Sequence, residues 1–303
     1  SSVVAAMLAV QSPVRAQDPQ PMFRAVVDAV TIDAFAHHER QPLAGLTGRD
    51  FVVRDNGVEQ AVDSIGTTDS AHVIVGLDLS SSVDGRTLDQ LRAAVRALAG
   101  ALTGNDRLSL FTFSDRVRLL MRAETPGGAL DSTLANMTAG GATVLHDAIV
   151  FGSALASADS RPSVFVLLTD GMDTGSWSSA SLTLDAVRHT NVVIYPIGAG
   201  LPSAPIAASQ SDAFTTRSWM VPTLGEGLRM LQQVADMTGG EFLRVNRRAR
   251  FASTFAAILA QYRQRYLLTY TPTGAATPGW HRLDVRLRSR PGTVVAREGY
   301  MAR

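Results

Sequence analysis

The feature that most constrains this chain is a repeated switch, between residues 71 and 262, from short continuously apolar segments to longer segments with helical spacing. Ala71 to Leu79 (AHVIVGLDL) is a compact apolar run, and Thr87 to Leu102 then places Leu, Val and Ala at helical intervals. The pattern continues. Leu108 to Phe113 and Val117 to Met121 read as strands, Val144 to Ala156 as a helix, Ser163 to Thr169 as a strand, Leu182 to His189 as a helix and Val192 to Ile197 as a strand. Thr223 to Met237 and Phe251 to Tyr262 close the series as helices. Strands apolar on both faces that alternate with helices predict an α/β fold with a doubly wound, mostly parallel sheet. Leu201 to Pro222, rich in Ser, Ala and Pro, has no period and reads as a loop or lid over one edge.

The two ends of the chain follow a different rule. Phe23 to Phe35 alternates apolar and polar residues, and Phe51 to Arg54 runs into Asp55-Asn56-Gly57, a hairpin signal. Arg265 to Thr271, Trp280 to Leu287 and Thr293 to Arg297 again read as strands between Pro and Gly turns. Neither end has enough strands for a core of its own. The expected organisation is therefore an α/β domain over 69–263, with 17–68 and 264–303 packing together as one small β domain. At 46% hydrophobic, 303 residues can fill a medium core and a small companion.

Ser1 to Val14 is a short apolar stretch, and Val14-Arg15-Ala16 is a small-residue cleavage site before polar Gln17-Asp18. Residues 1–16 read as a signal-peptide remnant, with a disordered terminus as the alternative, so the chain is expected to be exported, periplasmic or secreted. No later run is apolar enough for a transmembrane span.

Composition removes several kinds of chemistry. The 28 basic residues, all Arg, balance 27 acidic ones, which gives no electrostatic reason to expect nucleic acid or an anionic membrane as partner. The lack of Lys excludes Schiff-base catalysis and a Gly-Lys-Ser/Thr phosphate loop. The lack of Cys excludes thiol nucleophiles, disulfides and thiolate metal sites. His37-His38-Glu39 lacks the second His of a His-Glu-x-x-His motif and reads as a solvated loop; no Gly-x-Ser-x-Gly elbow occurs.

What remains is a set of oxygen donors at predicted strand ends. Asp78-Leu79-Ser80-Ser81-Ser82 places a carboxylate and two hydroxyls at alternate positions of one turn, Thr169-Asp170-Gly171 leaves Asp170 at a strand tip, and Gly140-Gly141-Ala142-Thr143 presents a hydroxyl before a helix. In a doubly wound sheet, ligands bind at such carboxyl ends. Asp, Ser and Thr are hard ligands, suited to Mg²⁺, Mn²⁺ or Ca²⁺ and poor for zinc or copper. A lone Asp-x-Ser-x-Ser is usually a capped turn. Three loops carrying donors in order are harder to dismiss.

This set resembles the metal-ion-dependent adhesion site of von Willebrand factor A (VWA) domains, over roughly residues 70 to 250. The resemblance implies a Rossmann-like fold and one divalent cation, Mg²⁺ first, with Asp78, Ser80, Ser82 and Thr143 contacting the ion or its waters and Asp170 acting through water. It also implies a protein partner that offers an Asp or Glu carboxylate to the metal. The flanks, FRAVVDAV to VEQ and YLLTYTP to REGY, resemble the VWA-related proteins common in Acidobacteria. No base, nucleophile and orienting group can be assembled, so the expectation is a binding module and not an enzyme. The alternatives are an accessory subunit of a larger enzyme or assembly complex, and a scaffold with a vestigial metal site.

Overall fold

A computed structural model describes residues 29–199, 224–245, 250–275 and 277–302. The signal-peptide reading of 1–16 and the loop reading of Leu201 to Pro222 lie outside these residues. In chain order the first strands are β1 (Val30–His38), β2 (Gln41–Pro42), β3 (Phe51–Asp55), β4 (Val58–Gln60) and β5 (Ser64–Thr67). The middle of the chain forms β6 (His72–Asp78), α1 (Gly85–Gly100), β7 (Arg107–Phe113), β8 (Val117–Glu124), α2 (Ala129–Ala135), α3 (Leu145–Ser157), β9 (Ser163–Thr169), α4 (Ala180–Arg188), β10 (Val193–Ala199), α5 (Leu224–Thr238), β11 (Leu243–Val245) and α6 (Phe251–Tyr262). Four strands follow: β12 (Tyr266–Tyr270), β13 (Gly279–Leu287), β14 (Thr293–Ala296) and β15 (Gly299–Ala302).

The central sheet has the order β11-β10-β9-β6-β7-β8. Its strands are parallel except β8, which pairs antiparallel with β7, so the sheet is mixed and the expectation of a doubly wound, mostly parallel sheet is corrected at this edge. The reason is connection length. Only Ser114, Asp115 and Arg116 link β7 to β8, and a parallel partner would need a crossover of a dozen residues or more.

Every residue of β6 is buried, as a strand covered on both faces requires. Its alternation distributes the core: Val73, Val75 and Leu77 join one apolar cluster with residues of α1, α2 and α6, while Ile74 joins the other with residues of α3, α4 and α5. Helix α1 shows why these segments are helical. Asp84 caps it by accepting from the Thr87 N–H at 2.7 Å, and Leu91, Ala94, Val95 and Leu98 form one buried stripe. Each large side chain of that stripe contributes about 1.5–3 kcal/mol relative to exposure.

The chain ends form two antiparallel sheets, one ordered β14-β1-β12-β5 with β2 on β1, the other β15-β13-β3-β4. Ile32, Ala34, Phe51, Val53, Leu268, Tyr270, Leu283 and Val285 from both ends of the chain share one apolar cluster between them. Asn56 and Gly57 turn β3 into β4 with positive φ, 48° and 87°, the conformation such a two-residue hairpin needs. One local reading changes: His37 and His38 belong to β1 and not to a loop.

Candidate metal centre

Strand β6 lies between β9 and β7, so the chain leaves it toward one neighbour and later returns to the other. That topology opens a crevice at the carboxyl ends of β6 and β9. Asp78 ends β6 there and is only 2% exposed. Its Oδ1 accepts from the Ser80 N–H at 3.0 Å and its Oδ2 from the Thr169 hydroxyl at 2.8 Å. Thr169 ends β9, and its hydroxyl also accepts from the Gly171 N–H at 3.0 Å. The turn at Gly171, with φ of 84°, leaves half-buried Asp170 at the tip, its Oδ1 accepting from the Met172 N–H at 3.0 Å. Burial pushes the Asp78 carboxyl up to about 6; the Ser80 N–H opposes this, and the charge of Asp170 adds to it.

A third loop closes on the first. The Gly140 N–H donates to the Leu79 carbonyl at 2.7 Å, and the Ser81 N–H to the Gly141 carbonyl at 3.1 Å. The Ser81 hydroxyl donates to that same carbonyl at 2.9 Å and accepts from the Gly141 N–H at 3.0 Å. Such close approach uses the positive φ of Gly140 and Gly141, 145° and 96°. Thr143, buried, then holds the β9 loop: its carbonyl accepts from the N–H groups of Thr174 and Gly175 at 2.9 and 3.1 Å, and its own N–H donates to the Thr174 hydroxyl at 2.9 Å. The hydroxyls of Ser80 and Ser82 lie 3.1 Å apart. All five predicted donors therefore sit on three loops bonded to one another at one end of the sheet.

Some supporting residues were missed. Thr169 and Ser81 were part of the motifs but carried no role in the sequence reading; both act by fixing a donor loop. Gly227 in α5 was read only as helix, yet a Cβ there would stand 1.7 Å from the Gly171 carbonyl oxygen, so the helix reaches the β9 turn only because the side chain is absent. A glycine inside a helical pattern was the available signal. Asp84 is the α1 cap, and Asp173 accepts from the His146 N–H at 3.3 Å at the start of α3.

The donor chemistry fits a hard divalent cation. Two carboxylates and three hydroxyls offer oxygen alone, and among the described residues no group of three or more His, Cys, Asp or Glu is placed to hold a metal. Asp78 and Asp170 repel one another, and among the described residues no ion pair relieves either. A bound cation would.

Residues 72–214 match the family model for the von Willebrand factor type A domain. A 129-residue stretch is 27% identical to an uncharacterized protein of the cyanobacterium Synechocystis; it spans 41% of this chain and 31% of that protein, less than a third of its length. Among solved structures, a von Willebrand factor type A protein from Catenulispora acidiphila superposes with a TM-score of 0.51 at 14% identity, covering 84% of this chain and 75% of that one. Proximal thread matrix protein 1 of the mussel byssus gives 0.51 at 15% identity, covering 69% and 50%, and has also been solved with a zinc-occupied metal-ion-dependent adhesion site. The matched stretch begins with β6 and takes in Asp78, the Thr143 loop and Asp170, the parts from which the crevice is built; the chain carries a von Willebrand factor type A domain.

Proposed function

We propose that this chain is a metal-dependent protein-binding module of an exported protein, which holds a partner carboxylate on a divalent cation bound by Asp78, Ser80, Ser82, Thr143 and Asp170. One observation carries the reading: two carboxylates, neither of which makes an ion pair among the described residues, and three hydroxyl-bearing residues sit on mutually bonded loops at one end of the sheet. The ion would supply positive charge at an open position that an Asp or Glu side chain can fill. The chain's part is orientation. Thr169 and the Ser80 N–H aim the Asp78 carboxylate, while Ser81 and the Thr143 main chain hold the other two loops in register.

Mg²⁺ is the first choice of ion, with Mn²⁺ and Ca²⁺ next; zinc enters the test because it is the ion named for the mussel protein. Export is supported by the apolar stretch and small-residue site in residues 1–16. Among the described residues no helix is long and apolar enough to cross a membrane. The shared apolar cluster supports treating 17–68 and 264–303 as one companion β domain. The module is proposed to be non-enzymatic.

A scaffold with a vestigial metal site is the second reading, favoured by the fact that both Asp78 oxygens already accept hydrogen bonds from the protein. Calorimetric titration of the chain with Mg²⁺, Mn²⁺, Ca²⁺ and Zn²⁺ separates the two. Binding of one ion per chain, lost in Asp78→Ala, is the expected result. No binding of any of the four ions, or binding unchanged in Asp78→Ala, supports the scaffold.

A further inference from the structure

Trp177 is 97% exposed, the most exposed large apolar side chain among the described residues. Its loop is nevertheless firmly built. The N–H groups of Trp177 and Ser178 donate to the two oxygens of Asp147, at 3.0 and 2.8 Å, and the Ser178 carbonyl lies 3.1 Å from His146 Nδ1. The Ser176 hydroxyl accepts from the N–H groups of His146 and Asp147 at the start of α3, at 3.0 and 3.3 Å. Two residues before Trp177, Gly175 is bonded to the Thr143 carbonyl, and a Cβ on Gly175 would stand 3.7 Å from that of Ala142. The fold thus fixes the main chain on both sides of Trp177 and leaves its indole in water, beside the loop that carries Thr143.

The loops bonded to this one expose many short neutral side chains, with the charged Asp115 and Arg116 at the Gly141 edge. Ser81, Ser82, Gly140, Gly141, Ala142, Thr174 and Gly175 are exposed, small and uncharged. Short neutral side chains let another main chain come close, and a rigid aromatic ring among them is the composition of protein-recognition loops. An ordered Trp held in this way loses little conformational freedom on binding, which is why Trp dominates the energetics of many interfaces.

We infer that Trp177 is the apolar anchor of the partner site, and that the partner is an extended protein segment presenting a carboxylate to the metal and, a few residues away, an apolar side chain to the indole. This rests on the metal-dependent reading above and adds a second, metal-independent contact to it. The geometry divides the work: the ion selects for an acidic residue and Trp177 for its apolar neighbour.

The probe is a displayed library of random twelve-residue peptides, selected against the whole chain in Mg²⁺ and Mn²⁺. The expected result is enrichment of peptides that pair Asp or Glu with an aromatic or aliphatic residue at a fixed spacing. For the best synthetic peptide, Trp177→Ala should weaken binding at least tenfold and Trp177→Phe less, with metal affinity and thermal midpoint unchanged. Peptide binding that is abolished by chelator but untouched by Trp177→Ala overturns the anchor and leaves the metal reading standing. Binding lost in Trp177→Ala but indifferent to chelator and to Asp78→Ala keeps the anchor and overturns the metal reading. Enriched peptides without an apolar position, or no enrichment at all, count against the anchor directly.

Discussion

Where the amino ends of β9 and β10 meet the antiparallel sheets, Arg265 is 1% exposed and bonded to the Asp33 carboxylate, with the Tyr195 hydroxyl at 3.4 Å and the carbonyls of Asp33 and Val295 at 3.0 and 3.3 Å. Within those sheets Asp55 is treated in the same way: His281 Nδ1 lies 2.6 Å from one oxygen, and the hydroxyls of Tyr270 and Tyr300 donate to the other at 2.8 Å each. At the carboxyl ends of β6 and β9, the buried charge of Asp78 is faced instead by a second carboxylate. The difference separates two uses of buried charge. A charge matched inside the chain holds elements together, and its loss leaves a partner stranded. A charge that no ion pair among the described residues matches, oriented by hydroxyls and N–H groups, suits something that arrives from outside.

Breaking the matched end should have the largest effect. Asp33→Ala leaves the Arg265 guanidinium buried without its carboxylate and should cost about 3–5 kcal/mol of stability in urea unfolding. A loss under about 1 kcal/mol would mean that the seam tolerates an unpaired cation and that the contrast is false. The unmatched end should respond in the opposite sense. Asp78→Ala should abolish metal binding while leaving stability equal to that of the metal-free wild type or slightly above it, because it removes a repelled, buried carboxylate. A clear fall in the midpoint of the metal-free protein would show that Asp78 holds the fold as Asp33 does.

Thr169→Val sharpens the comparison by keeping the shape and deleting the hydroxyl that aims Asp78. Removal of such a supporting partner typically costs about 10–100-fold in metal affinity, measurable by the same calorimetry. Unchanged affinity would mean that the Ser80 N–H alone positions the carboxylate. The smallest effect is expected for Ser81→Ala, which removes the hydroxyl joining the first loop to Gly141. A loss of about 1 kcal/mol in stability, with a few-fold weaker metal binding, is expected. A change in stability alone would confine Ser81 to a structural role.

The elements of the central sheet were legible because their patterns are local. Residues 73–77 and 164–168 carry no polar side chain and β6 and β9 are buried on both faces; the stripe at Leu91, Val95 and Leu98 forms the buried side of α1. Short elements escaped. Strand β11 has three residues and α2 has seven, too few for a period to rise above the surrounding sequence, and both are held by neighbours and not by their own propensity. The mixed character of the sheet was readable in principle from the three-residue β7–β8 link, since so short a connection admits only a hairpin.

The sequence by itself determined the donor types and their order: one Asp and two Ser on alternate positions, a Thr after two glycines, an Asp before a glycine. Those are properties of residues a few positions apart, and strand ends and turns follow from the same short range. Tertiary structure alone decided that Thr169, 91 residues from Asp78, bonds its carboxylate, that Ser81 clamps Gly141, and that α5 reaches the β9 turn through Gly227. It also decided which buried charges are matched, since Arg265 and Asp33 lie 232 residues apart. Such pairings depend on how strands are ordered in a sheet and how helices close over it, and no local pattern encodes that order. A hydroxyl becomes a positioning group, or a charge an orphan, only when packing has chosen its neighbours.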